Sequence, residues 1–356
     1  MIEKILAYIL ACCNNSEFEQ TTVALISENL KISRSQVSVV LNKLVKENKL
    51  IRIESKPFCF ISVEYLKEKS IPFKDSVYAS LDDLLSNQEK KDFEKLVGMN
   101  HSLAQTVKQC KATISYPPNG LPMLLYGPTG TGKSLIAKLT YEWARNQGVI
   151  SKDGQFVQVN CSEYANNPEL LTANLFGHVK GAFTGAEKDN EGLIALADNG
   201  VLFLDEVHEL KAECQEKLFL FMDQGIYHRV GDNEKWYKSN VRIVFATTEN
   251  PDKVLLKTLM RRIPMTITIP SLEQRGTQER IELLHNIFSQ EEKRLDCQIK
   301  MSSKVYNALL QSKMPGNIGQ LKSSVQSCCI NSLFDKVNDE LVIHLDSLPK
   351  DILQQV

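Results

Sequence analysis

The stretch GPTGTGKS at residues 127–134 combines three glycines with a lysine and a serine, and it follows the short apolar run of residues 123–126. Glycines at this spacing let the backbone curl so that successive N–H groups face phosphate oxygens. The lysine is then placed to reach the β- and γ-phosphates of a nucleotide, and the serine to coordinate Mg²⁺. The pattern predicts a loop that binds a nucleotide and Mg²⁺, made of Gly127, Pro128, Thr129, Gly130, Thr131, Gly132, Lys133 and Ser134.

Two adjacent carboxylates end a second apolar stretch, VLFLDE at residues 201–206. The composition is typical of a strand buried on both faces of a parallel sheet, and the acids stand at its carboxyl end. Asp205 is predicted to hold Mg²⁺ together with Ser134, and Glu206 to orient and deprotonate the attacking water. The alternative is a pair of solvated acids, which would make the phosphate-binding loop a coincidence.

The segments that position these residues alternate between strand and helix patterns over residues 93–275. Such alternation predicts an α/β fold, with a parallel sheet, helices on both faces and ligands at the carboxyl ends of the strands. From residue 277 onward the strand patterns stop and helical periodicity takes over. Residues 276–356 are therefore expected to form a small helical lid with a C-terminal tail.

The first 64 residues predict a different module, with a helix over 23–30, a turn, a helix over 34–47 capped by Ser33, and a hairpin around residues 55–57. This is the outline of a winged helix. The inward positions of its second helix are apolar: Val37, Val40, Leu41, Leu44 and Val45. Residues 65–92 are charged and weakly patterned, and they are interpreted as a partly helical linker.

Basic residues are concentrated in this first module. Residues 31–56 hold seven Lys or Arg and two acids, a local net charge of +5 in a chain whose net charge is −1. The outward face of the second helix is expected to contact duplex DNA through Arg34, Ser35, Gln36, Ser38 and Lys43. A winged helix used for protein contacts is the alternative.

The chain of 356 residues is long enough for two or three domains. Its nine cysteines include no C-x-x-C pair, which is typical of reduced thiols in a cytoplasmic protein. The apolar run at residues 5–11 is short and its spacing favours an amphipathic helix over a signal sequence. No stretch approaches the roughly 20 apolar residues of a membrane span, so no membrane association is expected.

A further motif, GAFTGA at residues 181–186, places Phe183 and Thr184 between glycines and between two predicted strands of the nucleotide domain. Such a sequence favours a mobile exposed loop that touches a partner. Together with LFGH at 175–178, it makes residues 93–345 resemble the bacterial sigma-54-dependent transcriptional activators, which are AAA+ ATPases. The resemblance implies that a hexameric ring hydrolyses ATP to open the promoter complex of sigma-54 RNA polymerase. It also implies that sigma-54 is contacted by Gly181, Ala182, Phe183, Thr184, Gly185 and Ala186.

The same resemblance implies roles for further positions. Asn160 matches the asparagine that restrains the catalytic glutamate, and Arg262 matches an arginine supplied in trans to the nucleotide of a neighbouring subunit. Thr248 falls at the first sensor, where asparagine is usual in the family. Two other positions depart from the family, since Leu256 and Gly319 replace arginines.

These departures and the amino-terminal winged helix resemble the LevR-like branch, which controls sugar phosphotransferase operons. Members of that branch continue into phosphotransferase regulatory domains, so the 356 residues correspond either to part of such a protein or to a shorter relative. The departures also keep a second function open, a DNA-bound regulator that binds ATP as an assembly signal with little turnover. A third reading, an AAA+ loader or unfoldase with another client, is disfavoured by the intact GAFTGA motif.

Overall fold

The computed structural model describes residues 1–15, 17–54, 57–68, 71, 73, 76–78, 80–81, 84, 92–336 and 339–355. The chain divides into two compact units, Met1–Lys90 and Lys91–Val356. The predicted turn residues Ser55 and Lys56 lie outside the described residues.

The first unit consists of helices around a small three-stranded sheet. The helices are Ile2–Asn14 (α1), Val23–Leu30 (α2), Arg34–Lys46 (α3) and Val63–Glu68 (α4). The strands are Leu50–Ile53 (β1), Cys59–Ser62 (β2) and Val77–Tyr78 (β3), with β1 antiparallel to β2 and parallel to β3. The predicted order of two helices followed by a hairpin is confirmed.

The second of these helices is built as its sequence predicts. The Ser33 side chain accepts a hydrogen bond from the Gln36 N–H at 3.4 Å and so caps α3. The apolar positions that recur at helical spacing are all buried: Val37, Val40, Leu41, Leu44 and Val45. Burial of this stripe against α1, α2 and β1 anchors the helix and leaves its other face in solvent.

The segment predicted as a linker contributes to the core of the first unit. Leu66, Ile71, Tyr78 and Leu84 are buried there, and β3 lies within this segment. Apolar side chains separated by charged residues gave only a weak local pattern, but each reaches the hydrophobic cluster formed by α1, α3 and β1. The structure therefore places the boundary after Lys90 and not after residue 64.

The second unit contains a five-stranded parallel sheet in the order β10–β4–β9–β6–β5. These strands are Met123–Tyr126 (β4), Phe156–Asn160 (β5), Val201–Asp205 (β6), Arg242–Thr247 (β9) and Met265–Thr268 (β10). A short hairpin is formed by Ile226–Tyr227 (β7) and Tyr237–Lys238 (β8). The helices are Ala104–Ile114 (α5), Lys133–Asn146 (α6), Pro168–Phe176 (α7), Leu193–Leu196 (α8), Ala212–Gln224 (α9), Pro251–Val254 (α10) and Lys257–Met260 (α11). The predicted parallel α/β fold is confirmed.

Alternation along the strands divides the core of this unit into two layers. In β6, Leu202 and Leu204 belong to the hydrophobic cluster on one face of the sheet, and Val201 and Phe203 to the cluster on the other. Successive side chains of a strand point to opposite faces, so a strand covered on both sides must be apolar at every position. The sheet is thus held rigidly between helices, with its carboxyl edge free for ligands.

The carboxyl-terminal region is a lid of helices with one small sheet. Its helices are Thr277–Leu295 (α12), Ser303–Gln311 (α13), Asn317–Asn331 (α14) and Lys350–Leu353 (α15). The expectation that strands stop at residue 277 is wrong, because Gln298–Met301 (β11) and Glu340–Ile343 (β12) form a parallel pair. Each strand has four residues, and the two are about 40 residues apart, too short and too distant for a local pattern to reveal their pairing.

All nine cysteines lie in the described part of the chain and are free thiols. Across that part no helix is both long enough and apolar enough to cross a membrane.

Candidate nucleotide site and the loop beside it

The phosphate-binding loop lies between β4 and α6, where two glycines adopt left-handed backbone conformations. Gly130 has φ +73° and Gly132 φ +98°, which other residues rarely adopt. A Cβ on Gly130 would lie 2.2 Å from the carbonyl oxygen of Gly316 in the lid, so only glycine fits there. The loop is therefore shaped to hold its N–H groups around an anion, as its sequence predicts.

Lys133 begins α6 and is buried within the loop. Its Nζ donates hydrogen bonds to the carbonyl oxygens of Gly127 at 2.9 Å and Pro128 at 3.2 Å. Burial lowers the pKa of Lys133, and the nearby carboxylates of Glu206 and Asp205 oppose that shift. A cation held by neutral carbonyls in a partly desolvated loop is well suited to bind phosphate.

Ser134 and Asp205 meet where the loop and β6 come together. The Ser134 hydroxyl donates to Asp205 Oδ2 at 2.8 Å, and the other carboxylate oxygen accepts from the Glu206 N–H at 3.0 Å. Hydroxyl and carboxylate oxygens are the ligands that Mg²⁺ prefers. The pair therefore fits the predicted Mg²⁺ site.

Glu206 follows β6 in a left-handed conformation, φ +51°, that is uncommon for a residue with a side chain. Its Oε2 accepts a hydrogen bond from the Thr248 hydroxyl at 3.1 Å and lies 3.4 Å from Nδ1 of His208. Backbone outliers of this kind cluster at functional sites. The predicted sensor position Thr248 is thus brought to the predicted catalytic carboxylate.

The structure does not pair Asn160 with Glu206, and that expectation requires correction. Asn160 Oδ1 accepts instead from the amide and the hydroxyl of Ser162, at 3.2 and 2.9 Å. Asparagine readily binds backbone donors two residues ahead, and here this contact orients the Asn160 side chain towards Ser162. Although Asn160 pairs in register with Asp205, its side chain turns to its own loop.

A pocket of about 410 Å³ joins these groups to the lid. Its polar wall includes the phosphate-binding loop, Asp205 and Glu206, while Leu283, Ile287 and Ile318 give it an apolar side. A polar end and an apolar end in one pocket match the phosphates and the base of a nucleotide. The residues present therefore fit Mg²⁺–ATP.

The lid contacts the phosphate-binding loop directly. Asn317 Nδ2 donates to the Thr129 carbonyl at 2.8 Å, and the Gly319 N–H donates to the Gly130 carbonyl at 3.2 Å. Gly319 lines the pocket without a side chain, but Lys322, one turn further along α14, lines it with an exposed ammonium. Sequence reasoning missed Lys322, although the spacing of three residues puts it on the same helix face as residue 319.

A buried ion pair beside the loop was also missed. Arg275 and Glu279, 3.2 Å apart, are almost fully buried, and Arg275 donates to the Thr131 carbonyl at 3.0 Å. Glu279 also accepts from the Ser102 hydroxyl at 2.9 Å. Burial lowers the pKa of Arg275, whereas Glu279 opposes the shift. Opposite charges four residues apart in a helix are usually solvated, so the sequence alone does not indicate that Arg275 and Glu279 are buried and support the loop.

The GAFTGA loop is largely exposed beside the sheet. Gly181, Phe183, Thr184 and Gly185 are exposed, and the Phe183 ring packs edge-on against His178 with 4.9 Å between centroids. Ala186, predicted to contact sigma-54, is buried instead, because its N–H and carbonyl close the loop on Phe183 and Gly181. Phe183 and Thr184 border an open cavity of about 980 Å³.

Arg262 lies at the end of α11, and it is not among the described residues that line the nucleotide pocket of its own subunit. Its guanidinium forms a two-point ion pair with Asp223, whose Oδ2 accepts from Nη2 at 2.8 Å, and stacks over Phe219 at 5.0 Å. The ion pair lowers the pKa of Asp223 and raises that of Arg262. The arginine is half exposed and oriented by its neighbours.

The predicted DNA-contacting residues lie on one side of α3. Arg34, Ser35, Gln36 and Lys43 are exposed, and Ser38 is half-buried. The Ser33 hydroxyl joins Gln36 Oε1 at 2.9 Å, and Lys43 lies 3.8 Å from Glu47, an exposed and weak ion pair.

A phosphate-binding loop, two acids on an adjacent parallel strand and a lid that closes on the loop define a P-loop nucleotide-binding protein of the AAA+ type. Residues 96–267 match the family described as the Sigma-54 interaction domain. The chain belongs to the sigma-54-dependent AAA+ transcriptional activators of the LevR type.

Two curated relatives match most of this chain. The transcriptional regulatory protein LevR of Bacillus subtilis is 43% identical over 342 residues, which are 93% of this chain and 37% of LevR. The transcriptional regulatory protein DagR of Salmonella typhimurium is 36% identical over 93% of this chain and 36% of DagR. The chain thus spans little more than a third of the length of these relatives.

Among solved structures, NtrX from Brucella abortus has a similar fold. Its crystal structure aligns with a TM-score of 0.59 and 25% sequence identity, over 73% of this chain and 55% of NtrX. A complex of NtrX with ADP aligns with a TM-score of 0.58 and the same identity, over 72% of this chain and 56% of NtrX.

Proposed function

We propose that this protein hydrolyses ATP in a Mg²⁺-dependent reaction and uses the energy to remodel sigma-54 RNA polymerase at a promoter. The observation that carries the proposal is the group formed by Ser134, Asp205 and Glu206 at the polar end of one pocket, with Thr248 bonded to Glu206 behind it. When bound, Mg²⁺ neutralises charge on the phosphates during transfer. Ser134 and Asp205 hold it, while Glu206 takes the proton of the attacking water.

Nucleotide binding is further supported by the ADP complex of NtrX, a protein of similar fold and 25% identity. In the present pocket, Lys133 and the N–H groups of the loop hold the phosphates. Leu283, Ile287 and Ile318 receive the base. Because these three side chains come from the lid, nucleotide binding draws the lid and the sheet together.

Sigma-54 is the proposed target because Phe183 and Thr184 of the GAFTGA loop are exposed and do not line the nucleotide pocket. The match to the Sigma-54 interaction domain supports the same target. We further propose duplex DNA upstream of the promoter and a hexameric ring as partners, and a sugar phosphotransferase operon as the regulated target. These partners place the protein in the cytoplasm.

Thr184→Ala tests the proposed target. We expect the variant to keep ATP turnover within about threefold of wild type, because Thr184 lies outside the nucleotide pocket. It will neither bind sigma-54 in the presence of ADP–aluminium fluoride nor support open-complex formation. ATP turnover, sigma-54 capture and promoter melting are measured on the same preparations.

A matched control is Thr172→Ala, which alters a threonine that lines the same open cavity from α7 and donates within its own helix to Pro168. This control should retain sigma-54 binding. Full activation of a sigma-54 promoter by Thr184→Ala would remove the loop from its proposed role.

DNA binding by the first unit gives a separate prediction. In the full chain, affinity for a promoter-upstream duplex should fall steeply with salt, because Lys and Arg on α3 displace condensed counterions. Arg34→Ala with Lys43→Ala should weaken binding about tenfold and flatten the salt dependence. Fluorescence anisotropy across a salt series measures both effects.

Lys4→Ala serves as the control for that experiment, since Lys4 is an exposed lysine that belongs to α1 and not to α3. It should leave the affinity and its salt dependence unchanged. Salt-independent binding, or equal losses in the control, would instead make the first unit a protein-interaction domain.

A further inference from the structure

The carboxylate of Glu206 is anchored through one oxygen only. Oε2 accepts the Thr248 hydrogen bond at 3.1 Å and lies 3.4 Å from His208 Nδ1. Among the described residues, Oε1 has no hydrogen-bond partner, and Glu206 lines the nucleotide pocket. One oxygen is thus held by the protein, and the other is left to accept a proton from water.

Nδ1 of His208 lies between two oxygen atoms, the Thr247 hydroxyl and Oε2 of Glu206. The Thr247 hydroxyl lies 3.2 Å from His208 Nδ1, accepts from the Glu249 N–H at 3.1 Å and donates to the Glu249 carbonyl at 3.4 Å. A hydroxyl can donate or accept, whereas a carboxylate oxygen only accepts, so the contact with Oε2 of Glu206 requires the hydrogen on Nδ1.

The ring of His208 is fixed independently of Glu206. His208 lies in the short helical turn Val207–Glu209 directly after β6, with only 19% of its side chain exposed. Its Nε2 lies 3.6 Å from Glu209 Oε1, beyond hydrogen-bond distance, so burial and the Thr247 contact at Nδ1 fix the ring. The position of the imidazole is therefore fixed before it contacts Glu206. Glu206 itself has a strained left-handed backbone and a flexible side chain that needs such a support.

We propose that His208 is a positioning residue for Glu206, which together with Thr248 holds the carboxylate towards the attacking water. This inference rests on the proposed ATPase function. His208, two residues after Glu206, would then support the catalytic carboxylate. Asn160, which was expected to contact Glu206, binds Ser162 instead. No role in binding the nucleotide is involved, since His208 does not line the pocket.

His208→Ala should lower kcat for ATP about tenfold, because a general base that loses one of its supports spends less time in the reactive orientation. KM and the Kd of ATP should stay within about twofold of wild type, since the phosphate contacts are unchanged. His208→Asn should restore kcat to within about threefold, because its amide nitrogen replaces Nδ1. His208→Gln, whose amide reaches the place of Nε2, should not.

Two further variants separate positioning from packing. Glu209→Gln removes the negative charge near Nε2, which forms no hydrogen bond there, and should leave kcat unchanged. Thr248→Val should lower kcat, and its combination with His208→Ala should cost less than the product of the two losses, since both residues support one oxygen. Thermal unfolding of each variant verifies that the fold is retained.

The outcomes are distinguishable. If the wild-type protein hydrolyses ATP and His208→Ala has the same kcat, the role of His208 is overturned and the proposed function stands. A loss that Asn and Gln restore equally, or a rise in KM that accounts for the loss, also overturns it. If wild-type protein hydrolyses no ATP, or no more than Glu206→Gln, the proposed function fails and the role of His208 fails with it.

Discussion

Lys133→Ala will abolish the binding of ATP, whereas Glu206→Gln will leave binding intact and lower turnover about 10²–10⁴-fold. The first change removes the one ammonium held by loop carbonyls at 2.9 and 3.2 Å, and with it the charge-assisted contacts to phosphate. The second keeps the shape of the side chain and an acceptor for the Thr248 hydroxyl, but it removes the proton acceptor. Calorimetric titration with ATP and a phosphate-release assay measure the two effects.

Lys138→Ala is the matched control, because Lys138 is exposed on the same helix and does not line the pocket. It should change neither quantity. Turnover in Glu206→Gln equal to a measurable wild-type rate would remove Glu206 from its proposed role. Strong ATP binding with negligible turnover in both proteins would instead favour the DNA-bound regulator that uses ATP as an assembly signal.

The parts of the fold that the sequence predicts are those encoded by local pattern. The strand at residues 201–205 is apolar at nearly every position, and the α3 stripe recurs at helical spacing, so each element could be placed from its own residues. The pairing of β11 with β12 and the packing of Leu84 into the first unit depend on residues far apart in sequence. No local signal identifies such partners.

The candidate site divides in the same way. Residues 127–134 and Asp205 could be assigned because a phosphate-binding loop and a metal-binding acid each have a fixed local context. The contacts of Glu206 could not, because Thr248 follows β9 and reaches Glu206 only when β6 and β9 pair in parallel, and no local pattern shows that His208 faces the same carboxylate. The family resemblance predicts that Asn160 contacts Glu206, but in the structure the Asn160 side chain accepts a hydrogen bond from the nearby Ser162.

Asp223, the partner of Arg262, was not predicted from the sequence. The resemblance predicts a role for Arg262 alone. In the structure its guanidinium donates to both carboxylate oxygens of Asp223 and stacks on the ring of Phe219. Both side chains remain partly exposed, so the pair orients the arginine at the surface more than it stabilises the fold. We propose that an arginine held outward in this way reaches the nucleotide of a neighbouring subunit.

Arg262→Ala will lower ATP turnover about 10³-fold, within the range measured for arginines that stabilise the transition state of phosphoryl transfer. In this chain Leu256 replaces the second arginine of the family, so no other residue at that position can share the role. The variant should still bind ATP, since Arg262 does not line the pocket of its own subunit. Turnover and ATP affinity of the purified variant test both statements.

Dependence on a neighbour gives the decisive measurement. Wild-type turnover per subunit must rise with protein concentration as rings assemble, and Arg262→Ala subunits mixed with wild type must inhibit more than their share, because each also leaves the adjacent site incomplete. Arg261→Ala, which alters the adjacent exposed arginine, is the control and should leave the activity of mixed rings unchanged. Turnover that is independent of concentration, or activity that falls in simple proportion to the fraction of Arg262→Ala, would mean that each site is complete within one subunit. Asp223→Asn should then have no effect, whereas under the trans arrangement it lowers turnover severalfold by releasing the arginine from its orientation.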